Sequence, residues 1–246
     1  MSEKILLITG ATSDVGCQLF EAVHGDYDHI FLQYRTMNED LSKLIEEYNS
    51  QVDIRPIQCD FSDITNVFRM IDDIKTTGLI PNNIVHLPAP KAYNMHFHKD
   101  EWENYSLGWE ISVHSIVEVL KAFIPYMVKE NYGRIVFMLT SCTVYQPAKF
   151  QSSYVTVKYA LLGLMKSLSV EYISKGITVN GVSPDMMETK FLSELPRLLV
   201  ETNAYNSPLG RNIYVEEVIP VIQLLLADSS ASMTGQNIAV MGGGST

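Results

Sequence analysis

Seven short strand-like runs, separated by stretches long enough for helices, set the frame of this chain. They lie at residues 4–9, 30–32, 52–59, 84–87, 134–139, 177–180 and 237–240. Helical patterns fall between them, at 17–24, 39–48, 64–75, 100–129 and 154–172, and a last one spans 215–227. Strands and helices that alternate over the whole length predict an α/β chain with a seven-stranded parallel sheet and helices on both faces, in one domain over residues 1–246. Pro88 and Pro90 stop the fourth run, and Asp63 is the expected N-cap of the helix that follows the third.

In such a sheet, ligands sit at the carboxyl ends of the strands. Gly10, Arg35, Asp60, Ser141 and Pro184 all follow a run closely, so they are expected along one edge. The first loop, Thr9-Gly10-Ala11-Thr12-Ser13-Asp14-Val15-Gly16, joins a strand to a helix start through small residues. That layout offers backbone N–H groups and a helix N-terminus to a diphosphate, although an ordinary tight turn uses the same residues. The second run ends in Gln33-Tyr34-Arg35. A carboxylate there would bind the two ribose hydroxyls of NAD, whereas an arginine pairs with a 2′-phosphate, so the reading leans to NADP with NAD left open.

Tyr154 and Lys158 stand four residues apart at the head of an apolar helical segment. That spacing puts phenol and ammonium on one helix face, and a nearby cation favours the phenolate. Tyr145 and Lys149 share the spacing, but Pro147 disrupts a helix through that turn. The segments 100–129 and 154–172 carry apolar residues nearly all round, including Ile116, Phe123, Leu161 and Leu168. One sheet face covers one side of each, so a homo-oligomer, dimer or tetramer, is the economical cover for the rest. Residues 186–207, mixed helix and loop, have the size of a substrate lid.

Composition narrows the class. A chain of 246 residues, 46% hydrophobic, buries a large core. Its net charge of −10 argues against nucleic acid, an anionic membrane surface and, in the absence of a local basic patch, an acidic carrier protein. No run of 18 apolar residues suggests a membrane span, and three cysteines without paired spacing fit a reducing, cytoplasmic setting. His96 and His98 have no third ligand nearby, so no metal is expected, and His86 reads as a packed strand-end histidine.

Taken together, these motifs resemble the short-chain dehydrogenase/reductase family in its branch of single-domain chains of about 250 residues, among them 3-oxoacyl-carrier-protein reductases. The residues that carry the resemblance are Thr9-Gly10 through Gly16, Asp60, Gly133-Arg134-Ile135-Val136, Ser141, Tyr154 with Lys158, and Asn180 with Pro184 and Thr189. Ser207-Pro208-Leu209-Gly210-Arg211, Thr234-Gly235-Gln236 and Gly242-Gly243 continue it. The resemblance implies a Rossmann-type three-layer sandwich and an oxidoreductase that interconverts a ketone and a secondary alcohol by hydride transfer. It makes Tyr154 the proton donor or acceptor, Lys158 the group that binds the nicotinamide ribose and lowers the tyrosine pKa, and Ser141 the group that orients the substrate oxygen, with Thr140 left as an alternative. Ser112 falls at the fourth catalytic position. Gly10, Thr12, Ser13, Val15 and Gly16 would hold the diphosphate, with Arg35 at the adenosine ribose and Asp60 and Phe61 at the adenine. Pro88, Pro184, Met187 and Thr189 would lie along the nicotinamide half.

Four departures from the family pattern accompany the match. Asp14 replaces the middle glycine of the loop, and at about 5 Å in an effective dielectric of about 20 it would repel a diphosphate charge by roughly 3 kcal/mol. His86-Leu87-Pro88-Ala89 replaces an Asn-Asn-Ala-Gly stretch, Ser112 replaces an asparagine, and Asp185 replaces a glycine. The alternative these departures raise is a nucleotide-binding or scaffold protein that keeps the fold without catalysis.

Overall fold

The strand-like runs become β1 (Ile5–Thr9), β2 (His29–Tyr34), β3 (Asp53–Gln58), β4 (Asn83–His86), β5 (Gly133–Met138), β6 (Ile177–Pro184) and β7 (Asn237–Val240) in a computed structural model that describes residues 3–89, 94–147, 149–190, 192 and 195–244. All pair in parallel, in the order β3-β2-β1-β4-β5-β6-β7. The expected seven-stranded sheet is therefore present. β4 lies at its centre, and its neighbour β1 registers Leu6 against Ile30 on one side and Asn83 on the other.

Side chains on a strand alternate between faces, and the two cores follow that alternation. Ile5 and Leu7 of β1 join one core with Ile135 and Phe137 of β5. This face is covered by α3 (Ile64–Thr76), α5 (Ser115–Glu130) and α6 (Ser152–Tyr172). Leu6 and Ile8 join the other core with Val136 and Met138, beneath α1 (Asp14–Val23), α2 (Glu39–Tyr48) and α8 (Ile219–Leu226). Helices thus cover both faces, as expected.

Element boundaries differ where tertiary partners decide them. The first helix begins at Asp14 rather than at 17, because the Ser13 hydroxyl accepts the Gly16 N–H at 3.0 Å and caps it there. β6 runs on to Pro184 because β7 pairs along its second half, Gly181 against Asn237 and Pro184 against Val240. Near the C-terminus, Val215–Glu217 is a separate 3₁₀ turn and α8 starts only at Ile219. Pro220, with no N–H to donate, fits the first turn of a new helix and not the interior of a longer one.

α4 (Trp102–Trp109), a π-turn at Glu110–His114 and α5 form one helical run of 29 residues. By length and composition this run is apolar enough to cross a membrane, yet half of its most apolar window is buried inside this fold. Ile116, Val119, Leu120 and Phe123 supply that buried face. α7 (Arg197–Asn206) buries no residue and rides on the surface within the lid-sized segment.

Candidate active site

The strand ends bring the first loop, the β2 and β3 exits, the β5 exit and the β6 exit to one edge of the sheet. Gly10 adopts φ +73, a conformation that favours glycine. A Cβ on Gly16 would lie 2.7 Å from Ala11 Cα and from the Gly10 carbonyl, so glycine there allows helix and loop to close on each other. The Ser13 hydroxyl donates to the Gly10 carbonyl at 2.8 Å, and Asn38 Nδ2 donates to the Thr12 carbonyl at 2.9 Å. Val15 is buried in the core, which leaves only its backbone to a ligand. Asp14 is turned to the lid-sized segment, where its carboxylate accepts the Lys190 N–H at 2.7 Å.

At the exits of β2 and β3 a polar recess is lined by Arg35, Thr36, Gln58, Asp60, Asn66 and Arg69. Arg35 is exposed, and Gln58 Nε2 anchors its backbone carbonyl at 3.0 Å. Arg69 comes from α3 and was not foreseen, because nothing in the local sequence sets it against Arg35. The Asp60 carboxylate accepts the Ser62 N–H at 2.9 Å and hydroxyl at 2.8 Å, closing a local turn. The Phe61 ring is buried and lies 17° from parallel to His86 at 6.2 Å, so it belongs to the core and offers a ligand no ring face. Two guanidiniums and two side-chain amides line this recess together with the Asp60 carboxylate, and the guanidiniums are the donors that could pair with a phosphate on an adenosine ribose.

The expected pair is brought together on α6. Lys158 Nζ lies 5.8 Å from the Tyr154 ring centroid and donates to the Met138 carbonyl at 2.7 Å. The lysine is 1% exposed, and burial pulls its pKa down to about 7. Tyr154 is pushed up to about 12 by burial, with the nearby Thr140 side chain pulling the other way. Lysine was expected to lower the tyrosine pKa. Here desolvation outweighs every stabilising contact on the phenolate, and the ammonium is held by a backbone carbonyl.

Ser141 stands at the exit of β5, where its hydroxyl donates to the Asp185 carboxylate at 3.2 Å. Ser112, expected in a proton relay, donates through its hydroxyl to the Pro88 carbonyl at 3.3 Å. Its own carbonyl accepts from His86 Nε2 at 2.9 Å, so that nitrogen carries the proton and His86 Nδ1 accepts from the Thr9 hydroxyl at 2.9 Å. Ser112 and Pro88 therefore brace the end of β4 against the π-turn. His86 is a packed histidine, as expected, and burial together with the Lys158 charge lowers its pKa to about 3. Pro184 is buried at the end of β6, Met187 pairs in parallel with Ile213, and the Thr189 hydroxyl donates to the Met187 carbonyl at 3.3 Å.

Known proteins share this layout. The family model described as Enoyl-(Acyl carrier protein) reductase matches residues 10–245. The chain belongs to the short-chain dehydrogenase/reductase family. Among members of this oxidoreductase family, the 3-oxoacyl-[acyl-carrier-protein] reductase FabG of Thermotoga maritima is 26% identical over 246 residues, covering 98% of this chain and 97% of that protein. The crystal structure of levodione reductase superposes with a TM-score of 0.88 at 18% identity, over 99% of this chain and 98% of that one. A 3-oxoacyl (acyl-carrier-protein) reductase from Agrobacterium tumefaciens C58, solved with NADP bound, gives 0.87 at 19% identity, over 98% of this chain and 94% of that one. These two structures share the short-chain dehydrogenase/reductase fold with this chain.

Proposed function

We propose that this short-chain dehydrogenase/reductase interconverts a ketone and a secondary alcohol with NADP as cofactor. The observation that carries the reading is the Tyr154–Lys158 pair, with the buried lysine held at the exit of β5 by the Met138 carbonyl. When bound, the nicotinamide supplies or accepts the hydride, and the protein's task is positioning and a proton. Tyr154 gives its phenolic proton to the substrate oxygen in the reducing direction and takes it back in the other. Lys158, with a pKa near neutrality, sets the charge beside it. The Gly10–Gly16 loop would hold the diphosphate through backbone N–H groups, and Arg35 with Arg69 would hold the 2′-phosphate.

The preference for NADP is supported by this arginine pair and by the NADP-bound Agrobacterium protein. A 3-oxoacyl thioester on a carrier is the first substrate to examine, because the Thermotoga maritima relative bears that activity in its name. Leu107, Trp109, Tyr126, Tyr159 and Val170 leave apolar surface exposed on α4, α5 and α6, which supports a homo-oligomer formed through these helices. A cytoplasmic setting is consistent with the family. Residues 186–207 are the proposed lid.

Turnover of NADPH with a 3-oxoacyl thioester and a panel of simple ketones tests this reading. Tyr154→Phe is expected to lose on the order of a thousandfold in kcat while the NADPH Kd stays within about twofold. Residual turnover within tenfold of wild type would assign the proton to another group.

A further inference from the structure

We propose that Asp185 determines substrate specificity: its carboxylate takes a hydrogen-bond donor, hydroxyl or ammonium, on the substrate carbon next to the one that reacts. This deepens the oxidoreductase reading above and rests on it. Asp185 stands where the family pattern has a glycine, so it adds a side chain and a charge at the exit of β6. Its backbone is fixed there, because its N–H donates to the Val240 carbonyl at 3.0 Å. One carboxylate oxygen accepts the Ser141 hydroxyl at 3.2 Å. The acid therefore lies one hydrogen bond from the residue that the family resemblance sets against the substrate oxygen.

The rest of this carboxylate is open. At the same edge, Asp14 and Asp60 accept backbone N–H groups, and Asp40 pairs with Lys190. Among the described residues no cation pairs with Asp185, and its second oxygen has no hydrogen-bond partner. The buried cation of the site, Lys158 Nζ, is held by the Met138 carbonyl. Asp185 is half-buried, so water serves that oxygen until a substrate arrives. An apolar group seated there displaces the water and returns no hydrogen bond, which disfavours it. A hydroxyl or ammonium replaces the lost bond, and to a carboxylate that bond is charge-assisted. The spacing suits substituents on adjacent carbons, whose polar atoms lie about 3 Å apart when staggered, close to the 3.2 Å between Ser141 Oγ and Asp185 Oδ1. In the reducing direction the carbonyl carbon receives hydride from NADPH, and its oxygen receives the Tyr154 proton, which solvent replaces. The neighbouring donor keeps its protons and all its bonds. A 3-oxoacyl chain carries no such donor beside its ketone, so it ranks below a hydroxy or amino ketone on this inference.

The test compares three ketones of nearly equal size, hydroxyacetone, aminoacetone and butanone, on the full chain with NADPH. Wild type is expected to favour hydroxyacetone, aminoacetone or both over butanone by about a hundredfold in kcat/KM, and which of the two is favoured names the donor. Asp185→Gly should bring each ratio to within about threefold of unity. Asp185→Asn, which keeps an acceptor and loses the charge, should retain part of a preference for hydroxyacetone and lose one for aminoacetone. A wild-type ratio near unity, or a preference that Asp185→Gly leaves intact, would overturn the proposal. A binding measurement needs no turnover: saturation-transfer NMR of the corresponding alcohols, propane-1,2-diol, 1-aminopropan-2-ol and butan-2-ol, with and without NADP. The signal of the diol, the amino alcohol or both should weaken in Asp185→Gly, and that of butan-2-ol should not. Equal signals in the two proteins, or none in either, would sink the proposal. If no ketone is reduced while diol or amino alcohol binding still depends on Asp185, the oxidoreductase reading fails and the recognition by Asp185 stands.

Discussion

The Lys190 backbone N–H donates to the Asp14 carboxylate at 2.7 Å, across 176 residues of sequence. The Lys190 side chain pairs in turn with Asp40, and the hydrogen bond to Asp40, then the Asp40 charge and after it that of Asp14, raise the lysine pKa. The acid in the first loop is therefore not a bare charge beside a diphosphate. It fastens the lid-sized segment to the head of α1 and sits next to an ammonium.

This arrangement predicts the behaviour of Asp14→Gly. If Asp14 repelled the cofactor with the roughly 3 kcal/mol expected for an unshielded charge, its removal would tighten NADPH about a hundredfold. The observed bonding predicts a gain of less than about fivefold, together with faster hydrogen exchange at the Lys190 amide. Fluorescence titration and amide exchange read the two effects separately. A hundredfold gain with unchanged exchange would show that Asp14 acts on the diphosphate and not on the lid.

Lys158 makes the stability of the protein depend on pH in a defined window. Burial holds its folded pKa at about 7, below the ordinary 10.5. Between those values the unfolded chain binds more protons than the folded one, so stability rises with pH. The contribution is fully present above about 10.5 and is lost as pH falls through about 7. Lys158→Met has no such proton, so the melting temperature of wild type should fall furthest below that of the variant near pH 6, and the gap should narrow toward pH 10. A gap constant over that range would mean that the lysine is not desolvated.

Much of the architecture is legible in the sequence because β1 to β5 and their helices carry local apolar patterns and a good cap at Asp63. The second half of β6 is not legible that way. Gly181–Pro184 has little strand propensity of its own and is held by pairing with β7. The π-turn at Glu110–His114 is equally silent, since its residues look helical one by one. At the site, the spacing of Tyr154 and Lys158 is a local helical fact and survives intact. The bond between Ser141 and Asp185 depends on how the exits of β5 and β6 meet, and the place of Arg69 in one recess with Arg35 depends on how α3 packs. Neither relation is written in spacing.

Cofactor preference tests the central claim most directly. NADPH and NADH should be titrated against wild type, Arg35→Asp and Arg69→Gln, following nicotinamide fluorescence. The account predicts tighter binding of NADPH than of NADH by wild type. Each arginine substitution should weaken NADPH by about 10- to 100-fold, the effect of losing a charge-assisted bond to phosphate, and leave NADH nearly unchanged. Equal affinities for the two nucleotides that neither substitution alters, or no binding of either, would contradict it.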